Sequence, residues 1–159
     1  MSHLSKVTDY LDAKDVEYEV LHHEVAYTAP EIAQRQHVPG RVMVKSVLVE
    51  GPEGFLLCVL PAIHNIDFDK LRQAVGVEDL KLASEEQVGD LFPECELGAE
   101  PPFGYWAGLP VYLDKSLADE SHIVFNAGTH TDTIRMNLDD YRRMENPMLA
   151  DIGVHIPVG

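Results

Sequence analysis

A lysine, a histidine and a bend rich in glycine and proline carry the groups of this sequence that could do chemistry. Lys45 stands inside the apolar run of residues 42–49. Residues 98–104 read Gly-Ala-Glu-Pro-Pro-Phe-Gly and are called the Gly/Pro bend below, and His130 follows Gly128 in a second small-residue turn. Proline restricts φ and glycine permits close approach, so such a bend can aim backbone amides at a developing oxyanion. Together these groups could bind or hydrolyse a substrate without a metal or a protein nucleophile.

Each of these features also has an ordinary structural interpretation. Lys45 could lie on a solvated face of a strand with its ammonium in water, because lysine is rarely buried without a partner. A cluster of glycine and proline is commonly a rigid surface turn. His130 could be a loop histidine with satisfied hydrogen bonds, or an acid, base or donor, since imidazole titrates near neutral pH. Spacing alone leaves both interpretations open.

The sequence favours neither a metal site nor a covalent nucleophile. The histidines lack the His-x-x-x-His spacing of a helical zinc motif, and His22 and His23 would point to opposite faces of a strand. No Gly-x-Ser-x-Gly elbow is present, and Cys58 is predicted to be a core residue. We therefore expect no metal and no cofactor.

Composition limits the class of protein. The chain has 159 residues, 45% of them hydrophobic, so residues 1–159 are predicted to form one domain. Two cysteines and the absence of a long apolar run predict a cytoplasmic protein with no membrane partner. The formal net charge of −15 argues against DNA as a partner and confines any RNA contact to a local basic patch.

The elements that must position these groups alternate irregularly between helix and strand. A hairpin of residues 42–50 and 55–60, joined by the turn 51–54, places Lys45 in a central strand. Helices are predicted around Leu4, Val7 and Leu11 and after the capping residues Thr28, Asp67, Ser84 and Asn137. Further strands are predicted at residues 16–22, 110–113, 122–125 and 131–136. The sum is an α+β domain, a mixed sheet of about six strands with short helices outside it.

The ordered set of segments resembles a known family. Lys45 in its strand is followed by Leu60-Pro61-Ala62, by Pro-Pro-Phe-Gly at residues 101–104, and by residues 110–114 and 125–130. Over roughly residues 26–143 the sequence is similar to the YbaK/EbsC family, the freestanding relatives of the prolyl-tRNA synthetase editing (INS) domain. The resemblance implies a curved mixed β-sheet, partly barrel-like and flanked by short helices. It also implies hydrolysis of the ester that joins a wrong amino acid to tRNA.

The resemblance implies roles for individual residues as well. Lys45 would position the reacting ester or the terminal nucleotide, and His130 would orient the substrate. The amides around Gly98, Phe103 and Gly104 would stabilise the oxyanion. The remaining substrate-binding residues would be Ser46, Pro101, Pro102, Ala127, Gly128 and Thr129. Ser46 departs from an alanine-editing subgroup, which has asparagine after the lysine.

The implied partner is the acceptor end of a mischarged tRNA, and an aminoacyl-tRNA synthetase is left open as a second partner. The candidate phosphate contacts are Arg35, Arg41, Lys70, Arg72 and Arg135. Two other functions stay open at this point. The acidic composition is compatible with a non-catalytic module that binds an aminoacyl end or an amino-acid-like ligand. Eight histidines keep a metal-dependent hydrolase as the third hypothesis.

Overall fold

The computed structural model of the chain describes residues 3–23 and 39–155. The helices of this part are α1 (His3–Ala13), α2 (Phe68–Val75), α3 (Glu85–Leu91) and α4 (Leu138–Glu145). Its strands are β1 (Tyr18–His22), β2 (Val44–Gly51), β3 (Gly54–Pro61), β4 (His64–Ile66), β5 (Lys81–Leu82), β6 (Val111–Asp114), β7 (His122–Asn126), β8 (Asp132–Asn137), β9 (Met148–Ala150) and β10 (Gly153–His155). The predicted α+β class is confirmed. The helix predicted after Thr28, and with it Arg35, lies outside the described residues.

The strands form three sheets. The largest has the order β5-β2-β3-β6-β9, in which β2 and β3 are the predicted antiparallel hairpin and β6 adds in parallel to β3. A second sheet has the order β1-β8-β7, and β10 pairs with β4 in a third. The first two sheets meet at a single parallel bridge between Met43 and Val124, and within the described ranges they do not close into a barrel. The strands that sequence reasoning missed, β4, β5, β9 and β10, have only two or three residues each.

Local signals explain where the described helices begin and end. The Asp67 side chain accepts hydrogen bonds from the first amides of α2, which ends at Gly76 with φ 79°. Ser84 and Gln87 form a reciprocal capping box at the start of α3. Asn137 caps α4 in the same way as Asp67 caps α2. The capping predictions at these three helices are therefore confirmed.

The main hydrophobic core lies where α1 and α4 cover the two larger sheets. Val7 and Leu11 of α1 are fully buried in it. Phe103, from the Gly/Pro bend, is also fully buried, and its ring lies 5.2 Å from that of Tyr10 and 5.3 Å from that of Phe125. The Gly/Pro bend is thus anchored to the core through the ring of Phe103. In residues 3–23 and 39–155 no helix has the length and apolar content needed to cross a bilayer.

Candidate active site

The Gly/Pro bend and the turn after β7 are joined by hydrogen bonds. The Glu96 amide donates to the Gly128 carbonyl at 2.8 Å, and the Gly128 amide donates to the Ala99 carbonyl at 3.0 Å. The His130 amide donates to the Glu96 carboxylate at 2.9 Å, and His130 Nε2 lies 2.7 Å from the Leu97 carbonyl oxygen. Because a carbonyl only accepts, Nε2 carries the hydrogen. The structure therefore brings the two predicted loops and the predicted histidine into one junction.

Gly98 is the position at which this junction requires glycine. Its φ of +87° lies in the left-handed region, where a side chain is strained. A Cβ there would lie 3.4 Å from Cε1 of His130, which is itself buried. Because 3.4 Å is an ordinary van der Waals distance, the left-handed backbone conformation rather than lack of space is what favours glycine at this position.

A cavity of about 240 Å³ opens beside the junction. Its walls include Ser46, Val47, Leu48, Leu57, Ala83, Glu85, Val88, Phe92, Leu97, Gly98 and Glu100. Three of these are consecutive in β2, which is expected of a cavity along the edge of a strand. Among the described residues β2 is open at this edge, because β5 pairs only with Val49 and Glu50 and the bridge to β7 is at Met43. The cavity lies along this open edge of β2, on the β2 side of the gap between β2 and β7, and its lining residues include none from β7.

Lys45 immediately precedes the segment of β2 that borders the cavity. Its Nζ donates to Asn65 Oδ1 at 3.2 Å, and burial lowers the pKa of the ammonium. Residues of a strand alternate between faces, so Lys45 shares its face with Val47 and Val49, on the side opposite to Ser46. Lys45 is not among the residues that line the cavity. It is half-buried next to the cavity, with its ammonium on the neighbouring face of the strand.

Two polar atoms near this gap are shielded from solvent. Ser46 Oγ and Asn126 Oδ1 have no hydrogen-bond partner among the described residues. The parallel bridge between Met43 and Val124 sets the register, so Lys45 and Asn126, each two residues further on, are level with one another. Buried polar atoms without a partner are rare in folded proteins. Ser46 Oγ and Asn126 Oδ1 therefore keep hydrogen-bonding capacity that the described residues do not use.

The predicted oxyanion donors of the Gly/Pro bend are engaged within the protein. The Gly98 amide donates to Oε1 of Glu100 at 3.0 Å, and the Phe103 amide donates to the Pro101 carbonyl at 2.8 Å. Gly98 itself lines the cavity. Stabilisation of an oxyanion by Gly98 therefore requires Glu100 to release this hydrogen bond.

Of the eleven predicted site residues, Ser46 and Gly98 line the cavity and nine do not, among them Pro101, Pro102, Phe103 and Gly104. All four are buried on the core side of the bend. The Gly104 amide donates to the Glu145 carboxylate, which also accepts from the Tyr10 hydroxyl at 2.7 Å and the Tyr105 amide at 3.2 Å. Burial raises the pKa of Glu145 against the effect of these donors. Residues 101–104 therefore contact the core, and these contacts hold the bend in place.

Replacing Gly104 with alanine is expected to destabilise the fold by about 1–3 kcal/mol, the usual cost of overpacking. The φ of Gly104 is −73°, which any residue adopts, so the cost is steric. A Cβ would lie 2.7 Å from the Leu109 carbonyl oxygen and 2.7 Å from Cγ2 of Val111. Urea unfolding measures the change. The matched control is Gly89→Ala in α3, where a Cβ meets nothing within 4 Å. Equal stability of Gly104→Ala and wild type would contradict the prediction.

The turn after β7 is organised by a buried carboxylate. Asp132 Oδ2 accepts from the Thr129 hydroxyl at 2.6 Å, and Asp132 Oδ1 contacts Nδ1 of His22. The Ala127 amide donates to the Asp132 carbonyl at 3.0 Å. Thr129 and Ala127 are thus held in a fixed turn beside Gly128. Sequence reasoning missed the acids of this site, and glutamate is not among the residues whose side chains typically mark a local turn.

Neither cysteine is set up as a nucleophile. Burial raises the pKa of the Cys58 thiol to about 12 and that of the Cys95 thiol to about 12. Such thiols stay protonated at neutral pH and are poor nucleophiles. Cys58 is a core residue, as predicted. In the described part of the chain, no group of three or more His, Cys, Asp or Glu side chains is arranged to hold a metal ion.

The sequence matches a known class of domain. A family model described as an aminoacyl-tRNA editing domain matches residues 23–144. The chain is a member of the aminoacyl-tRNA editing domain family. The resemblance to the YbaK/EbsC relatives of the prolyl-tRNA synthetase editing domain is thereby confirmed.

Individual relatives agree with this assignment. The proline–tRNA ligase of Thermosipho africanus (strain TCF52B) is 31% identical over 65 residues, which are 41% of this chain and 12% of the ligase. That of Thermosipho melanesiensis is 28% identical over 109 residues, which are 69% of this chain and 19% of the ligase. The chain thus matches a minor part of the length of these ligases. A solved structure described as a candidate trans-editing enzyme for prolyl tRNA synthetase has a TM-score of 0.85 at 24% identity, covering 97% of this chain and 98% of that one. At this identity the likeness shows a shared fold.

Proposed function

We propose that this chain is an aminoacyl-tRNA deacylase that acts in trans on mischarged tRNA. Its family supports an editing role. The observation that carries the proposal is the junction of Gly98 with His130 at the wall of a cavity. Gly98 lines a space that a substrate could enter, and the imidazole of His130 packs against Gly98.

The size of the cavity supports an aminoacyl group as its occupant. A volume of about 240 Å³ equals the share of about eight water molecules in the liquid. The acyl group of a small or medium amino acid fits such a space, whereas an adenosine does not fit there together with it. The terminal nucleotide of the tRNA would then remain outside the cavity.

Each predicted residue has a part in this proposal. Lys45, at the end of the cavity-lining segment, would hold the ester or the terminal phosphate with its ammonium. The Gly98 amide would stabilise the oxyanion, and His130 would act as a positioning residue that fixes the bend. Ser46 would border the bound acyl group, and Ala127, Gly128 and Thr129 would hold the turn that supports the bend. Pro101, Pro102, Phe103 and Gly104 would support the bend from the core side.

The reaction needs no protein nucleophile. Water adds to the carbonyl carbon, the ester C–O bond breaks, and the ribose hydroxyl leaves with a proton. A neighbouring ribose hydroxyl of the tRNA can relay that proton. The high pKa values of both thiols support this route over a covalent cysteine intermediate.

Docking of tRNA would depend on few positive charges. The candidate phosphate contacts Arg41, Lys70 and Arg72 form ion pairs with carboxylates at 3.3, 3.2 and 3.0 Å. A cation that is already paired releases less free energy on meeting a phosphate. Recognition of the acceptor end by the cavity, or help from a synthetase, would therefore supply much of the affinity.

Purified protein is expected to release amino acid from at least one mischarged tRNA well above the spontaneous rate. A panel of mischarged tRNAs, with Ser-, Ala- and Cys-tRNA tried first, measures this by loss of labelled amino acid from the tRNA. A chelator in parallel reactions tests the metal-dependent alternative. Binding of charged tRNA that leaves the ester intact with protein in excess would contradict the proposal and favour the binding-module alternative.

A further inference from the structure

The cavity is negatively charged as well as apolar. Glu85 and Glu100 line it, and no lysine or arginine is among the described residues that do so. Such walls attract a cation and repel a phosphate. The part of a ligand that enters is therefore apolar or positively charged.

Glu100 is the more constrained of these two carboxylates. It is half-buried, whereas Glu85 is exposed in the first turn of α3. Glu100 Oε1 accepts from the Gly98 amide at 3.0 Å, and its own backbone amide also donates to the carboxylate. A carboxylate has about four acceptor positions, so two donors leave capacity for a further one. Glu100 can thus accept from a cation in the cavity without a change of fold.

The Glu100 carboxylate oxygen occupies the position on the Gly98 amide that the carbonyl oxygen of the substrate would take. An oxygen carrying negative charge rests on the Gly98 amide, where the proposed mechanism needs the carbonyl oxygen of the ester. In the protein alone, the carboxylate therefore stands in for the substrate oxygen. Something in the substrate must draw it away before the amide is available.

We propose that Glu100 binds the α-ammonium of the aminoacyl group, and that this contact frees the Gly98 amide for the ester carbonyl. The inference rests on the proposed deacylase function. An aminoacyl ester carries its ammonium on the carbon next to the carbonyl, so one carboxylate can hold the first while a neighbouring amide meets the second. The substrate class is accordingly esters of amino acids with a free α-amino group. Esters of N-acylated amino acids and of 2-hydroxy acids are expected to be poor substrates because they lack the cation.

The experiment compares Glu100→Gln with the matched control Glu86→Gln, which removes an exposed carboxylate of α3 that does not line the cavity. Each protein is assayed on the aminoacyl-tRNA that wild type hydrolyses and on its 2-hydroxyacyl counterpart, in which a hydroxyl replaces the ammonium. Glu100→Gln is expected to lower kcat/KM on the aminoacyl ester by about tenfold, the loss of one charge-assisted hydrogen bond. On the hydroxyacyl ester, which lacks the cation, Glu100→Gln is expected to raise kcat/KM, because a neutral amide oxygen holds the Gly98 amide less tightly than a carboxylate does. Glu86→Gln is expected to change neither rate by more than about twofold.

Equal losses on both esters, or no loss on either, would overturn the assignment of Glu100 to the ammonium. Binding separates this failure from failure of the proposed function. An aminoacyl-adenosine analogue with an amide in place of the ester cannot be hydrolysed, and calorimetry measures its affinity. If wild type hydrolyses no tRNA but binds this analogue about tenfold more tightly than Glu100→Gln does, the deacylase proposal fails while the ammonium site stands. Equal affinities would overturn the ammonium site.

Discussion

Replacing Lys45 with alanine is expected to slow hydrolysis of the preferred aminoacyl-tRNA by a factor of tens to several hundred. A polar group that stabilises the transition state contributes about 2–4 kcal/mol to lowering the barrier. Lys45 precedes the cavity-lining segment of β2, and its ammonium donates a hydrogen bond to the exposed Asn65. Its removal should therefore cost activity with little loss of stability. Single-turnover deacylation, with thermal unfolding alongside it, measures the two effects.

The control for Lys45 is Lys81→Ala, which removes the same charge from the same sheet. Lys81 lies in β5 with its side chain 73% exposed, 3.8 Å from Glu50. It is expected to leave the rate within about twofold of wild type, as surface charges usually do. Burial lowers the pKa of Lys45, and the lysine is active in its charged form. The rate enhancement that Lys45 provides is fully present below that lowered pKa and is lost as the pH rises through it. The ratio of the wild-type rate to the Lys45→Ala rate should therefore fall at high pH. A Lys45→Ala protein as fast as wild type would remove Lys45 from the mechanism.

Replacing Phe103 with alanine is expected to lower the free energy of unfolding by about 3–5 kcal/mol. The ring is fully buried and lies between the rings of Tyr10, Phe125 and Tyr141, with centroids 5.2, 5.3 and 6.0 Å away. Its loss leaves a cavity that the surrounding rings fill only in part. Denaturant unfolding at equilibrium measures the change.

The variant Phe103→Leu distinguishes packing from substrate contact at this position. Leucine keeps much of the apolar volume, so the expected loss of stability is roughly 1–2 kcal/mol. Because the ring does not line the cavity, kcat/KM should stay within about threefold of wild type, well under the tenfold that 1.36 kcal/mol of barrier represents. A large fall in kcat/KM for a stably folded Phe103→Leu protein would instead support the substrate-binding role that the family resemblance implies.

Those parts of the fold that short-range chemistry determines could be predicted from the sequence. The caps at Asp67, Ser84 and Asn137 and the turn of residues 51–54 depend on contacts within four residues, and all are found. The strands β5 and β10 could not be predicted, because two or three residues carry no periodic signal and the pairing partner is distant in the chain. The bounds of the long strands differ from the predicted ones by two residues or fewer.

The candidate site shows the same division. The Gly/Pro bend, Gly128 and His130 could be singled out from residue types, and the structure brings them together. The acids around them could not, because Glu145 gains its role from Tyr10, which is 135 residues away in sequence. The partner of the Lys45 ammonium, Asn65, is 20 residues away in the sequence and belongs to another strand. Charge and hydrogen bonding at this site are properties of the assembled fold.

The cavity has one wall tied to the core and one that is not. The Gly/Pro bend is held by Phe103 and by the Tyr10–Glu145 hydrogen bond, which links α1 to α4. The opposite wall is α3, in which no residue is fully buried, together with the two-residue strand β5, whose Leu82 is 58% exposed. Segments with few buried contacts open locally at low free energy, whereas core-anchored segments open with the whole domain. Local opening of the cavity is therefore expected in α3 and β5. Hydrogen–deuterium exchange should be much faster at the amides of α3 than at those of the bend.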